Sequence, residues 1–213
     1  MKENFWQLTL VTNKGNIPTA PYLECIEVCL KAGITCVQLR EKSLPGEDLL
    51  DFGSSLKRLL DLYNVPLIVN DNVDLCIKLS AFGVHLGQSD TTIEKARSIL
   101  GADKIIGLSV NTIEQIQNSR TLPIDYIGVG AIFPTNNKPD VETIWGLSGL
   151  RQASLIPSHP IIAIGGIDES NTFSVINSGA NGIAAIGAFH QAADPFLTTK
   201  NLIKIINEAN NDR

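Results

Sequence analysis

Long apolar runs are missing from this sequence. None approaches the ~20 residues a bilayer-spanning helix needs, so no membrane role is expected. Paired cysteines are missing too. Cys25, Cys29, Cys36 and Cys76 form no CxxC unit, and Cys25 and Cys29 stand one helical turn apart in an apolar pattern. That spacing reads as buried free thiols of a reducing compartment rather than zinc ligands or a disulfide frame. An excess of positive charge is absent as well. The net charge of −5 argues against broad nucleic-acid or anionic-membrane binding, so any phosphate site must gather its cations locally. No secretory leader is expected, because Met1-Lys2-Glu3-Asn4 runs straight into a strand pattern. A cytoplasmic location follows as the expectation. Neither a Ser/His/Asp series nor zinc-ligand spacing is evident, which removes the usual hydrolase readings.

What is present is a regular alternation. Hydrophobic residues make up 44% of the chain and charged residues 18%, the composition of a folded domain rather than a disordered segment. Short apolar runs at 7–12, 36–39, 67–70, 83–86, 105–109, 126–130, 161–164 and 182–186 alternate with amphipathic stretches. The runs are mostly continuous, as parallel strands covered on both faces require. Between them, Leu23, Ile26, Leu30 and Gly33 mark one helix that ends at its glycine. Leu49, Phe52, Leu56, Leu59 and Tyr63 mark a second, and a last helix covers about 195–209. Eight β–α units of ~25–27 residues fill residues 1–213 without a linker, which predicts an α/β chain folded as one single-domain (β/α)8 TIM barrel. The rival, a doubly wound open sheet, lacks a GxGxxG after its first strand.

In such a barrel, chemistry gathers at the C-terminal strand ends. Those ends carry Gln38, Arg40 and Lys42, then Asn70 and Asp71, Gln88 and Asp90, Ser109, Thr135 and Lys138, Gly165 and Gly166, and Ile186 and Gly187. Polar groups concentrate there while few lie within the strands. Asp71 and Asp90 follow consecutive strands and would be able to share one hard cation, with waters and substrate oxygens completing the shell as Mg²⁺ prefers. Each could equally cap the helix that follows it. Arg40 and Lys42 could be a solvated loop with Glu41 as partner, but their position after an apolar strand favours cations that face inward, where they suit phosphoryl oxygens. The glycines after strands seven and eight suit phosphate binding through backbone N–H groups, and they also simply end strands. His85 lies within a strand and reads as a packed or hydrogen-bonded core histidine rather than a catalytic base; His159 and His190 have no matching partners. The irregular stretch 134–146 reads as a surface loop or a lid that brings Lys138 over a bound anion.

These blocks together carry a family pattern. Val37-Gln38-Leu39-Arg40-Glu41-Lys42, Val69-Asn70-Asp71, Gly83-Val84-His85-Leu86-Gly87-Gln88-Ser89-Asp90, Ile106-Gly107-Leu108-Ser109, Gly130-Ala131-Ile132-Phe133-Pro134-Thr135 with Lys138, and Ala163-Ile164-Gly165-Gly166-Ile167 occur in order along nearly the whole chain. The sequence resembles the thiamine-phosphate synthase family. The resemblance implies a transferase that joins hydroxymethylpyrimidine diphosphate to thiazole phosphate and releases diphosphate. It also implies that Gln38, Leu39, Arg40, Glu41, Lys42, Asn70, Ser109 and Lys138 hold the pyrimidine diphosphate and Asp71 and Asp90 hold Mg²⁺. Thr135, Asn136, Asn137, Gly166, Ile186 and Gly187 would hold the thiazole phosphate. Arg40, Lys42, Lys138 and Ser109 are the candidates for the chemical step. Small-molecule substrates are the expected partners; a homodimer is an open alternative. The chain departs from the family pattern at Asn137, at Gly187, where serine is usual, and at Asn111, where histidine is common. The rival readings are a thiazole tautomerase-like barrel and a non-catalytic phosphate-binding barrel.

Overall fold

The computed structural model describes residues 5–135, 143–156 and 158–212. Strands β1 (Leu8–Val11), β2 (Cys36–Leu39), β3 (Leu67–Asn70), β4 (Gly83–Leu86), β5 (Ile105–Val110), β6 (Tyr126–Val129), β7 (Ile161–Ile164) and β8 (Gly182–Ala185) alternate with helices. The helices are α1 (Thr19–Ala32), α2 (Gly46–Leu62), α3 (Val73–Lys78), α4 (Ile93–Leu100), α5 (Ile113–Ser119), α6 (Gly146–Ser154), α7 (Thr172–Asn177), α8 (Gly187–His190) and α9 (Pro195–Asn211). All strand pairs are parallel and sequential, and β1 pairs with β8 through Leu8↔Ile183, Thr9↔Ala184 and Leu10↔Ala185, which closes the barrel. The expected (β/α)8 fold is the observed one. All eight expected strands are present; those expected at 7–12, 126–130 and 182–186 end sooner, and β5 runs one residue further.

The period-2 geometry of a strand divides the apolar runs between two cores. Leu8, Leu10, Val37, Leu39, Leu67, Val69, Val84, Leu86, Ile106 and Leu108 point outward into the layer beneath the helices. Val11, Cys36, Ile68, Ile105, Tyr126, Ile162 and Ala184 point inward and fill the barrel, sealed at the N-terminal end by Phe5, Trp6 and Phe82. Packing against that layer explains the helices. In α2, Phe52, Leu56 and Leu60 recur every four residues and are buried along one face. Helix α1 stops at Gly33, whose φ of 118° reverses the chain toward β2. The long α9 packs against α1 and α7, tying the last element to the first. All four cysteines are free thiols, three of them buried. Among the described residues no helix is long and apolar enough to cross a membrane.

Candidate active site

Inward-facing positions turn polar as each strand reaches its C-terminal end. On β2 the order is Cys36 in, Val37 out, Gln38 in, Leu39 out, and Gln38 is buried at the interior face. Leu39 therefore differs from the other substrate-binding candidates: its side chain lies in the outer core beneath α2, close enough to Gly53 to collide with a Cβ there. It offers only its backbone to the barrel mouth. Arg40 follows, half-buried, with its N–H donating to the Thr12 hydroxyl at 2.9 Å.

Glu41 also departs from expectation. Its carboxylate is buried and both oxygens accept the Lys14 N–H, at 2.8 and 3.0 Å. It anchors the β1–α1 loop and so fixes the course of the chain on either side of it, Arg40 and Lys42 included. Tyr22 assists by accepting the Asn13 N–H at 2.8 Å, and His190 stacks on Tyr22 with Nε2 3.1 Å from both the Tyr22 hydroxyl and the Val11 carbonyl. His190 thus has partners that sequence spacing did not reveal. His159 has one too, the Ser119 carbonyl at 3.1 Å.

The acidic pair meets beside β2. Asp71 stands one residue past β3 in the left-handed region, φ 63°, with its N–H held by the His85 carbonyl at 2.8 Å. Its Oδ2 lies 2.5 Å from Lys42 Nζ. Asp90 folds back so that its Oδ2 accepts the Gly87 N–H at 2.7 Å. A Cβ on Gly87 would come within 3.0 Å of that oxygen, which is why the return is close. The Asp90 carboxyl faces that of Asp71 within hydrogen-bonding reach; burial pushes its pKa up, the Asp71 carboxylate adds to the rise, and the Gly87 N–H and Lys42 oppose it. Neither aspartate caps a helix. Asn72 caps α3 by accepting the Leu75 N–H, and Thr92 caps α4 by accepting the Lys95 N–H.

The donor set suits a hard cation. Two carboxylates converge where one of them is already disfavoured as an anion, so a divalent ion would relieve the repulsion between them. Among the described residues no group of three or more acid, histidine or thiol ligands exists, which leaves the remaining positions to water and substrate oxygens, as Mg²⁺ tolerates.

Ser109, on the inward side of β5, is half-exposed. Its carbonyl accepts Gln88 Nε2 at 2.6 Å and its hydroxyl lies 2.8 Å from His85 Nε2, while His85 Nδ1 lies 2.9 Å from the Tyr126 hydroxyl. His85 is buried and hydrogen-bonded, as expected, and one of its partners is a candidate site residue. No spacing signal pairs His85 with Tyr126 in the sequence; they meet across an intervening strand.

On the far side of the mouth, Gly165 and Gly166 take φ values of 101° and 65° after β7. The Phe133 N–H donates to the Gly165 carbonyl at 3.0 Å and Asn171 holds the Gly166 carbonyl at 2.9 Å. Ile186 caps β8 on the interior side and Gly187 opens α8. Asn70 ends β3 half-buried, and Thr135 is half-buried past β6. Asn136, Asn137 and Lys138 lie outside the described residues, as does most of the stretch read as a lid. Its far flank is tied down, with the Trp145 N–H on the Ala131 carbonyl at 2.9 Å and the Gly146 N–H on the Ile132 carbonyl at 3.0 Å.

Known proteins resemble this chain in sequence and in fold. The family described as thiamine monophosphate synthase matches residues 8–189. A thiamine-phosphate synthase of Chlamydia abortus is 54% identical over 206 residues, 97% of either chain, and that of Vibrio parahaemolyticus is 38% identical over 95% of this chain and 99% of its own. Among solved structures, a thiamine phosphate pyrophosphorylase from Pyrococcus furiosus superposes with a TM-score of 0.87 at 33% identity, covering 97% of this chain and 98% of the other. With the family match over residues 8–189, the near full-length similarity and the shared barrel in agreement, the chain belongs to the thiamine monophosphate synthase family.

Proposed function

We propose that the chain condenses hydroxymethylpyrimidine diphosphate with thiazole phosphate to give thiamine phosphate and diphosphate. The observation that carries this reading is the convergence of Lys42, Asp71 and Asp90 at the neighbouring tips of β2, β3 and β4. Asp71 and Asp90 would hold Mg²⁺, which when bound neutralises charge building on the leaving diphosphate. The bond between the pyrimidine methylene and the diphosphate oxygen breaks with its electron pair passing to oxygen. The thiazole nitrogen lone pair then forms the new C–N bond. No proton needs to move at the reacting atoms, so the residues have to place charge and exclude water rather than supply a base.

In this reading Arg40 and Lys42 face the diphosphate, and Lys138 joins them from the β6–α6 connection. Gln38, Asn70 and Ser109 orient the pyrimidine half, and Glu41 acts indirectly by holding the loop that frames Arg40. The backbone at Gly166, Ile186 and Gly187, with Thr135, Asn136 and Asn137, takes the thiazole phosphate. Gly187 can offer an N–H but no hydroxyl. The local clustering of cations on a chain of net charge −5 supports small phosphorylated ligands over nucleic acid.

The test is incubation of the pure protein with both substrates, with and without Mg²⁺, following diphosphate release. Metal-dependent release and thiamine phosphate formation are expected, and Asp71→Ala should abolish both while remaining folded by circular dichroism. Wild-type rates for Asp71→Ala at limiting Mg²⁺ would refute the metal assignment. Binding without turnover would point to a phosphate-binding barrel, and metal-free isomerisation of the thiazole to a tautomerase.

A further inference from the structure

His85 and Tyr126 occupy the barrel interior at a visible structural cost. His85 on β4 is in register with Gly107 on β5, which is in turn in register with Tyr126 on β6. The two rings reach over Gly107 and stack with centroids 5.4 Å apart. A Cβ on Gly107 would sit 2.1 Å from Tyr126 Cζ and 2.6 Å from His85 Nδ1, and one on Gly128 would sit 2.8 Å from His85 Cε1. Two central strands therefore give up their inward side chains at these positions. Glycine weakens a strand, and polar groups lose hydration when buried, so aliphatic residues would fill this layer more simply. The polar pair calls for an explanation other than packing.

Proton placement supplies one. Burial keeps the Tyr126 phenol un-ionised well above the usual range. Among the described residues the hydrogen-bond partner of its hydroxyl is His85 Nδ1, at 2.9 Å. With Nδ1 as its one acceptor among them, the phenol leaves no buried proton unpaired only by donating to it, and a neutral imidazole that accepts there carries its proton on Nε2. Nε2–H then donates to Ser109 Oγ at 2.8 Å. With one lone pair filled from behind, the Ser109 hydroxyl keeps its own proton for a third partner. The Gln88 side chain holds the Ser109 carbonyl, so the backbone that carries this hydroxyl is fixed as well.

We propose that Tyr126 and His85 are positioning residues that lock the Ser109 hydroxyl as a hydrogen-bond donor toward the barrel mouth, committing it to an acceptor atom of the pyrimidine diphosphate. The identity of that acceptor rests on the function proposed above; the direction of the relay does not.

Two measurements test it. Long-range ¹⁵N–¹H correlation on the ligand-free protein reads the His85 tautomer directly: Nε2–H is expected in the wild type, with Nδ1–H gaining population in Tyr126→Phe. Kinetically, Tyr126→Phe should lower kcat roughly three- to ten-fold, the worth of one hydrogen bond, while the KM for thiazole phosphate stays constant. His85→Leu should do at least the same, and His85→Gln, whose amide N–H reaches the Nε2 position, should recover most of the loss. The near-isosteric Tyr126→Phe keeps the test alive if His85→Leu fails to fold. An Nδ1–H tautomer in the wild type, or an unchanged kcat in Tyr126→Phe, overturns the proposal. If the function itself is misassigned, the wild type fails to turn over while the tautomer result still stands or falls on its own.

Discussion

At the scale of single residues, Asp71 is held by backbone as much as by charge. A left-handed φ of 63° is uncommon for any residue with a Cβ, and Asp and Asn tolerate it best. Asp71→Asn is therefore the sharper probe of charge: it keeps the backbone preference and the size while removing the anion. We expect kcat to fall about 10²–10³-fold at saturating Mg²⁺, on the scale of losing one transition-state contact, with a thermal midpoint close to wild type. Lys42→Met should cost a similar factor in kcat. Its pair with Asp71 is more than half exposed on the lysine side, so stability should barely change in a urea titration. Both aspartates and Lys42 were legible in the sequence because each follows an apolar run. Their freedom from capping was not, since Asp, Asn and Thr all compete for that role and only the chain geometry hands it to Asn72 and Thr92.

At the scale of elements, the β1–α1 loop and the β2 tip behave as one unit. Glu41 binds the Lys14 N–H with both oxygens, and Thr12 receives the Arg40 N–H. Glu41→Ala should cost about 1–3 kcal/mol, because the part-buried Lys14 N–H loses its carboxylate acceptor, and should raise the KM for pyrimidine diphosphate by loosening Arg40. Urea midpoints and steady-state kinetics check the two halves separately. Glu41 entered the ligand contacts only through the family resemblance, and strand alternation alone would have turned it outward. Strand positions were readable throughout, since both cores demand apolar residues from every run. The split of each run between barrel and helix layer was not, because Leu39 and Gln38 differ in direction only once the register is set. The link from His85 to Tyr126 was equally hidden, as it forms between β4 and β6 over the empty face of Gly107.

At the scale of the whole molecule, stability should depend on pH through His190. Burial lowers its pKa, with the Val11 carbonyl and Glu41 pulling the other way. The unfolded chain binds a proton near pH ~6.5 while the folded chain resists it. This contribution is thus fully present above that value and is lost as pH falls through the lower folded value. The urea midpoint should drop between about pH 7 and about pH 5, and His190→Gln should flatten that slope. The barrel as a whole could be read from eight repeats of one pattern, whereas the interlock of α8 with α1 through His190 and Tyr22 could not, being a contact between residues 168 positions apart.

The joint between β1 and β8 carries a consequence for how the molecule is made. Its partners, Leu8 with Ile183 and Leu10 with Ala185, lie at opposite ends of the chain. During synthesis the first strand leaves the ribosome long before its neighbour exists. Until the eighth strand arrives, the nascent sheet has two bare edges, each able to recruit a strand from another chain. Ring completion is thus a late and abrupt event, and the interval before it is when the growing polypeptide most needs shielding from its neighbours.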